Sequence, residues 1–296
     1  MRYASAPAFR QALEAHLRAA SRTSGRSIAR LRKEVAFDRL LARLIATAPD
    51  RWLLKGALAL DYRFGDRART TMDIDLASAG DEATATADLL AAQAVDLGDF
   101  FDFALERTGA LDGLREAAAI RYHVVAELAG RTFDEFVLDV GFDPPAGITP
   151  ASLHGPDLLA FAEIPPAEVP ALPLEFQIAE KVHAYTRAYG ERAHASTRVK
   201  DLVDLVLIAT EGAPAGALLR VALDRTFARR ASQPLPAALP HPPADWRVPY
   251  ARMARDIGLD ATLGAGHAAA ARMLDPVFSG EVASATWDRA AGEWRP

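Results

Sequence analysis

A chain of 296 residues that is 50% hydrophobic and 25% charged can fill one large core or two modest ones, and nothing in it marks disorder. It has no cysteine, which excludes a disulfide framework, a thiol nucleophile and a thiolate metal site; any metal must sit on oxygen or imidazole. The net charge of −5 argues against a dedicated polybasic nucleic-acid binder, although local patches can still attract phosphate.

The amino terminus, MRYASAPAFRQALEAHLRAA, lacks the apolar run of a signal peptide, and no later stretch could span a bilayer, so a cytoplasmic protein with no membrane partner is expected. Residues 8–48 read as helices, with Ile28, Leu31, Val35, Leu40, Leu41, Leu44 and Ile45 at three and four spacings. Arg18, Arg22, Arg26, Arg30, Arg32 and Lys33 follow one another there with no acidic residue between them. That run reads first as a solvated helix face and second as an RNA-contacting strip. Lys33 is one of only four lysines, with Lys55, Lys181 and Lys200, among 34 basic residues. Lysine is a compact point charge where arginine is a flat fork, so an arginine-rich chain that keeps lysine at few places draws the eye to those places.

Trp52 to Lys55 lead into Gly56, at a turn that opens a helix from Ala57 to Tyr62. Glycine there would let the backbone approach a phosphate, and the free amides of a helix start favour negative charge. RTTMDIDLA then alternates, with Met72, Ile74 and Leu76 on one face and Asp73 and Asp75 on the other. Carboxylates at i and i+2 of a strand share a face, about 6 to 7 Å apart at the backbone. Two-metal nucleotidyl transfer uses such a pair, since ions roughly 3.5–4 Å apart must serve both the attacking hydroxyl and the leaving pyrophosphate. Alone, an Asp-x-Asp strand is more often the wet side of a half-buried sheet.

A helix over about 81–97 comes next, then strands over 101–106, 122–128 and 133–142. Asp139 is the one charge in the alternating run from Phe136 to Phe142, which makes it the candidate third carboxylate. Residues 144–173 are punctuated by proline and read as loop with short helical turns and as a lobe boundary. Beyond them 174–189 and 199–209 read as helices joined by the polar loop GERAHASTR, and the tail from 212 reads as helical with a proline-rich interruption. His183 follows Glu180 by three, a carboxylate–histidine spacing that without a second pair is more often structural. No G-x-S-x-G, Walker sequence or H-E-x-x-H occurs.

The stretch K-G-A-x-A-L at 55–60, with R-x-T-x-D-I-D-L at 69–76, resembles the AbiEii/AbiGii family of nucleotidyltransferase toxins, which includes the mycobacterial MenT enzymes within the DNA polymerase β-like superfamily. Gln177, Glu180, Lys181 and Ala184, followed by Arg198, Lys200, Asp201 and Asp204, are similar to the family's second block, and the likeness covers about 27–210. It implies an α+β fold: a nucleotidyltransferase-fold mixed β-sheet core with a helical N-terminal region over 1–150, and a mainly helical C-terminal lobe over 151–296 completing the active-site cleft. By the same resemblance Asp73 and Asp75 hold Mg²⁺ or Mn²⁺, with Asp139 as a less certain third ligand. Lys55, Gly56, Ala57, Arg69 and Thr71 serve the nucleotide, and Lys181 reaches its phosphates. Asp201 or Asp204 completes the site, or only pairs with Arg198 or Lys200. Two positions carry a further implication. Ala57 stands where the superfamily usually has glycine or serine, which implies weaker nucleotide binding. Thr71 stands where some related toxins are phosphorylated by an antitoxin kinase, and a phosphate there would place nearly two negative charges beside Asp73.

The activity so implied is transfer of NMP from an NTP to an acceptor, tRNA being the expected one, with arrest of translation and a cognate antitoxin as partner. Transfer to a protein or small molecule, a nucleotide-binding regulator without turnover, and a metal phosphoesterase are the alternatives.

Overall fold

The computed structural model describes residues 3–110, 119–187 and 198–296; the loop GERAHASTR falls mostly outside these. The described chain divides into two compact units, one from Met1–Arg63 with Thr70–Leu172 and one from Phe64–Arg69 with Pro173–Pro296. The boundary therefore lies after Leu172 rather than near 150, and a six-residue segment ahead of the acidic strand belongs with the second unit.

The first unit is a seven-stranded mixed sheet with helices on one face. Helices α1 (Ala6–Ser24) and α2 (Ile28–Thr47) come first. Gly25 ends α1 in the left-handed region at φ 74°, where glycine carries no Cβ penalty. The Ser27 hydroxyl accepts from the Arg30 amide to start α2. Strand β1 (Trp52–Lys55) runs directly into α3 (Gly56–Phe64), and β2 (Asp73–Ser78) is followed by α4 (Glu82–Ala94), whose first amides are met by the Asp81 carboxylate. Strands β3 (Phe101–Ala110), β4 (Ala119–Leu128) and β5 (Arg131–Gly141) form a meander. Ala129 and Gly130, both at positive φ, close the β4–β5 hairpin, the backbone of a two-residue type I′ turn.

Strands β6 (Ala151–His154) and β7 (Glu168–Ala171) lie in the stretch whose prolines read as loop. They complete the order β3-β4-β5-β2-β1-β7-β6, with β2–β5 and β1–β7 parallel and the other pairs antiparallel. The pairing of β7 with β1 is what moves the boundary: 151–171, with strands at each end, belong to the first unit.

Alternation sorts the two faces. Trp52, Leu54, Ile74, Leu76, Ile120, Tyr122, Val124, Leu138 and Val140 point into one core with Phe9, Leu13 and Leu17 of α1, Leu31, Phe37, Leu40 and Leu44 of α2, and Ala85, Leu89 and Ala92 of α4. Met72 is not part of that face; it precedes the strand and is 63% exposed. The basic run is divided: Arg18 and Arg22 are exposed, whereas from Arg26 onward its cations are engaged by carboxylates. Arg26 and Arg30 pair with Glu34, Arg30 also with Asp61, Arg32 with Glu14, and Lys33, itself buried, with Asp134. The acidic partners that the run lacks in sequence come from elsewhere in the unit.

The second unit packs α5 (Leu174–Thr186), α6 (Val199–Glu211), α7 (Gly216–Arg230), α8 (Arg247–Asp256) and α9 (Leu263–Ser279), and closes with a hairpin of β8 (Thr286–Asp288) and β9 (Glu293–Arg295). Trp287 of that hairpin donates its indole N–H to the Ala209 carbonyl of α6 at 2.7 Å. No described helix is long and apolar enough to cross a membrane.

Candidate active site

Among the expected site residues, the structure brings Lys55, Gly56, Thr71, Asp73, Asp75 and Asp139 together in the first unit, and Arg69, Lys181, Asp201 and Asp204 together in the second.

In the first unit, strand register sets the arrangement. Lys55 stands opposite Asp75 across β1–β2, Asp75 opposite Asp139 across β2–β5, and Asp139 opposite Arg121 across β5–β4. Residues directly opposite in register point to the same face. Four adjacent strands thus each contribute one charge to a transverse row, Arg121, Asp139, Asp75, Lys55, on the face away from the helix-packed core. Asp73 lies two residues from Asp75 on that same face, and all five side chains are partly exposed. With strands about 4.8 Å apart, the row spans roughly 14 Å at the backbone.

Each carboxylate is positioned. The Thr71 hydroxyl donates to Asp73 Oδ1 at 2.6 Å, and Thr71 is buried. Asp75 lies over Gly56, where a Cβ would come within 1.9 Å of Asp75 Oδ2 and 2.8 Å of Asp75 Cβ. Gly56 sits at φ +68°. The glycine is needed because its Cα lies under a carboxylate at the junction of β1 and α3, whereas the sequence reading gave the space to a phosphate. Ala57, the next residue, is buried in the first turn of α3. Lys55 Nζ lies alongside Gly141, 3.6 Å from where a Cβ would be.

Asp139 is held by Arg121, whose Nε and Nη2 donate to its two oxygens at 2.8 Å each. Those hydrogen bonds, followed by attraction to Asp139, Asp73 and Asp75, hold the guanidinium more firmly protonated than usual, against some desolvation. Arg121 is the site residue that sequence reading missed. The expected strand began at Tyr122, but β4 starts at Ala119, and the alternation of Ile120, Tyr122, Val124, Ala126 and Leu128 would have placed Arg121 on the polar face.

Asp73 and Asp75, two hard oxygen donors on one face, suit a divalent cation such as Mg²⁺ in donor type. Asp139 does not join them as it stands, because both its oxygens are engaged by Arg121. Among the described residues, no group of three or more His, Asp or Glu side chains is gathered as a metal cage.

In the second unit, Asp204 on α6 is fully buried between two cations. Lys181 of α5 donates to Oδ2 at 2.5 Å, while Arg69 donates through Nε to Oδ1 at 2.9 Å and through Nη2 to Oδ2 at 3.2 Å. Asp201, one turn earlier, pairs with Arg198 at 2.9 Å and lies 3.9 Å from Lys181. The two carboxylates respond oppositely. Burial pushes Asp201 above the usual range, and Lys181 and Arg198 only partly offset it. Burial also opposes ionisation of Asp204, but the attraction and hydrogen bonds of Lys181 and Arg69 outweigh it and hold Asp204 low. Asp201 thus pairs with Arg198, and Asp204 with Lys181 and Arg69. Lys200 is exposed. His183 contacts Ser232 Oγ at 2.9 Å, and Glu180 faces Arg229 and Arg230, so the two do not form a metal pair.

Two cavities of about 480 and 500 Å³ lie in the first unit, one lined by Trp52, Leu53, Pro150 and Glu168 and the other by Arg39, Ala42, Leu97 and Ile164. Neither is lined by a residue of the charged row.

Residues 39–283 match the family described as nucleotidyl transferase AbiEii toxin, type IV toxin–antitoxin system. Among solved structures, the chain is similar to MenT4, a nucleotidyltransferase toxin of Mycobacterium tuberculosis H37Rv, with a TM-score of 0.58 and 19% identity over 91% of this chain and 89% of that one. It is also similar to JHP933 of Helicobacter pylori, with a TM-score of 0.47 and 15% identity over 86% of this chain and 94% of that one. No curated protein matches by sequence.

Proposed function

From the premise that the chain belongs to the AbiEii family of nucleotidyltransferase toxins of type IV toxin–antitoxin systems, we propose that its acidic sheet face binds an NTP with Mg²⁺ and that the enzyme passes the nucleotidyl group to tRNA, so blocking translation until a cognate antitoxin intervenes. The observation that carries this reading is the row Arg121, Asp139, Asp75, Lys55 with Asp73 beside it. Carboxylates flanked by cations across four strands suit a metal–polyphosphate ligand, which presents both signs of charge.

In the proposed reaction an acceptor hydroxyl oxygen attacks the α-phosphorus of the NTP. The new P–O bond forms as the bond to the bridging oxygen breaks, pyrophosphate leaves, and the hydroxyl proton is released. A divalent cation, held by Asp73 and Asp75, would supply neutralisation of phosphate charge and a lowered pKa for the attacking hydroxyl. The chain's own contribution is placement and charge. Thr71 fixes the Asp73 carboxylate, Gly56 leaves room for that of Asp75, and Lys55 supplies a cation at one end of the row. In the second unit Asp204 holds the Lys181 ammonium in a fixed direction.

The test is incubation of the purified protein with α-labelled NTPs and Mg²⁺ in the presence of bulk tRNA, total protein extract or neither. Label should enter tRNA with the wild type and fail to enter with Asp73→Asn. Label in protein or small solutes instead would overturn the acceptor, and equal labelling by Asp73→Asn would overturn the site.

A further inference from the structure

Arg121 has no part in the reading above, yet it sits at one end of the charged row. Three features coincide at Arg121; Arg51, which is also forked onto a carboxylate (Asp88) and 45% exposed, lacks the first of them. Arg121 is in line with Asp139, Asp75 and Lys55 by strand register, so its charge is delivered to the same strip of surface. It presents a bidentate fork to a carboxylate, the geometry that also fits two oxygens of a phosphate. Its side chain is 43% exposed, whereas Arg43, which makes an equally bidentate contact with Asp99, is 1% exposed. The Arg43 pair is sealed in the core and has no other ligand to turn to. The Arg121 pair lies at the surface, where water already competes for the guanidinium and an exchange of partners is easy.

Charge accounting points the same way. Asp73, Asp75 and Asp139 face Lys55 and Arg121, so the five groups together are net negative. A polyanion approaching this strip gains most at its two cationic ends. Lys55 at one end adjoins Gly56 and Asp75, and the opposite end is Arg121.

We propose that Arg121 is a triphosphate-binding residue, parked on Asp139 while no nucleotide is present and turning to the phosphates when one arrives. On this assignment Asp139 is a resting partner for the guanidinium and not a metal ligand. The proposal rests on the reading of this face as an NTP site, and its test separates the two.

Equilibrium dialysis with radiolabelled ATP, GTP, CTP and UTP, each in Mg²⁺ and without acceptor, reads binding independently of turnover, and the corresponding NMPs report contacts that do not involve the β- and γ-phosphates. For the NTP that the wild type holds best, Arg121→Ala should weaken binding about tenfold or more, the scale of a lost charge-assisted pair, and leave NMP binding unchanged. Arg121→Lys, which keeps the charge but loses the fork and preserves the fold, should recover only part of the loss. Asp139→Asn, which frees the guanidinium, should bind NTP at least as tightly as the wild type. NTP binding by Arg121→Ala equal to wild type, or equal losses for NTP and NMP, would overturn the assignment and leave the proposed function standing. A loss in Asp139→Asn as large as that in Asp73→Asn would make Asp139 a cation ligand and overturn its resting role. Failure of the wild type to bind any of the four NTPs would overturn both the assignment and the proposed function.

Discussion

Replacing Gly56 with alanine attacks the site through the smallest possible change. The residue sits at φ +68°, where an L-residue pays roughly 1–2 kcal/mol. The new methyl would lie 1.9 Å from Asp75 Oδ2, 2.6 Å from its Cγ and 2.8 Å from its Cβ. Rotating the carboxylate relieves the first two contacts and leaves the third, so β2 itself must shift, and overpacking of this kind costs about 1–3 kcal/mol. The expected loss is therefore about 2–5 kcal/mol of stability. Restoring ordinary contact at 3.4 Å moves the carboxylate oxygen by about 1.5 Å and the Asp75 Cβ by about 0.6 Å, and a displacement of about 1 Å at a reacting centre can cost on the order of a hundredfold in rate. Gly130→Ala is the matched control, since Gly130 has φ +66° with nothing within 4 Å of the new methyl, so it carries the backbone cost alone. Urea unfolding of both variants, with NTP binding and nucleotidyl transfer measured beside it, decides the matter. If Gly56→Ala unfolds at the same midpoint as Gly130→Ala and transfers nucleotide at the wild-type rate, the account of Gly56 as the seat of Asp75 is refuted.

Further outcomes follow from the buried groups. Asp204→Asn leaves Lys181 and Arg69 without their shared carboxylate and should cost about 3–5 kcal/mol, whereas Asp201→Asn, which removes a carboxylate whose ionisation burial resists, should be neutral or stabilising at pH 7; thermal melts showing the reverse order would be contrary. Asp204 is held below its unfolded value of 3.8, so its contribution is complete above that value and is lost as pH falls through the depressed folded one; the gap between wild type and Asp204→Asn should narrow only in that acid range. His183 is pushed down to about 4, first by burial and then by Arg230 and Arg187, so the unfolded chain takes up its proton first and stability should fall as pH drops from about 6.5 toward 4. His183→Asn should remove that slope, and NMR titration of the imidazole should show it neutral at pH 6. Thr71→Val deletes the hydroxyl that fixes Asp73 and should weaken NTP–Mg²⁺ binding several-fold while leaving the melting temperature within a few degrees.

How much of this could be read beforehand depended on whether the signal was local. Alternation in MDIDL and in FVLDV placed Asp73, Asp75 and Asp139 on the polar face of β2 and β5, because side-chain direction in a strand is fixed by period two alone. Strands β6 and β7 stayed hidden for the opposite reason. Each has four residues, β7 contains Pro170, and what makes them strands is pairing with β1 and with each other; nothing within 151–171 announces it. The second half of the basic run, from Arg26 to Lys33, was misread because most of its ion-pair partners are tertiary. Glu14, Asp61 and Asp134 lie up to about a hundred residues away from the cations they neutralise. Gly56 was marked as special for the right property, its freedom from a Cβ, but which group needed that room was settled only by the register of β1 with β2.

Register also explains why the charged row has cations at its ends. Asp75 and Asp139 stand directly opposite each other on neighbouring strands, a like-charge pair that by itself destabilises the sheet. Water relieves part of that repulsion because the face is partly exposed, and the strands supply the rest by placing Arg121 outside Asp139 and Lys55 outside Asp75. The same two cations therefore make the acidic face tolerable in the folded chain and, on the proposed reading, would give an incoming polyanion its points of attachment. A sheet that buried these carboxylates against its helices would need them protonated or fully paired, as Asp99 is with Arg43. On the half-exposed face they are instead bracketed by Arg121 and Lys55 and stay in reach of water.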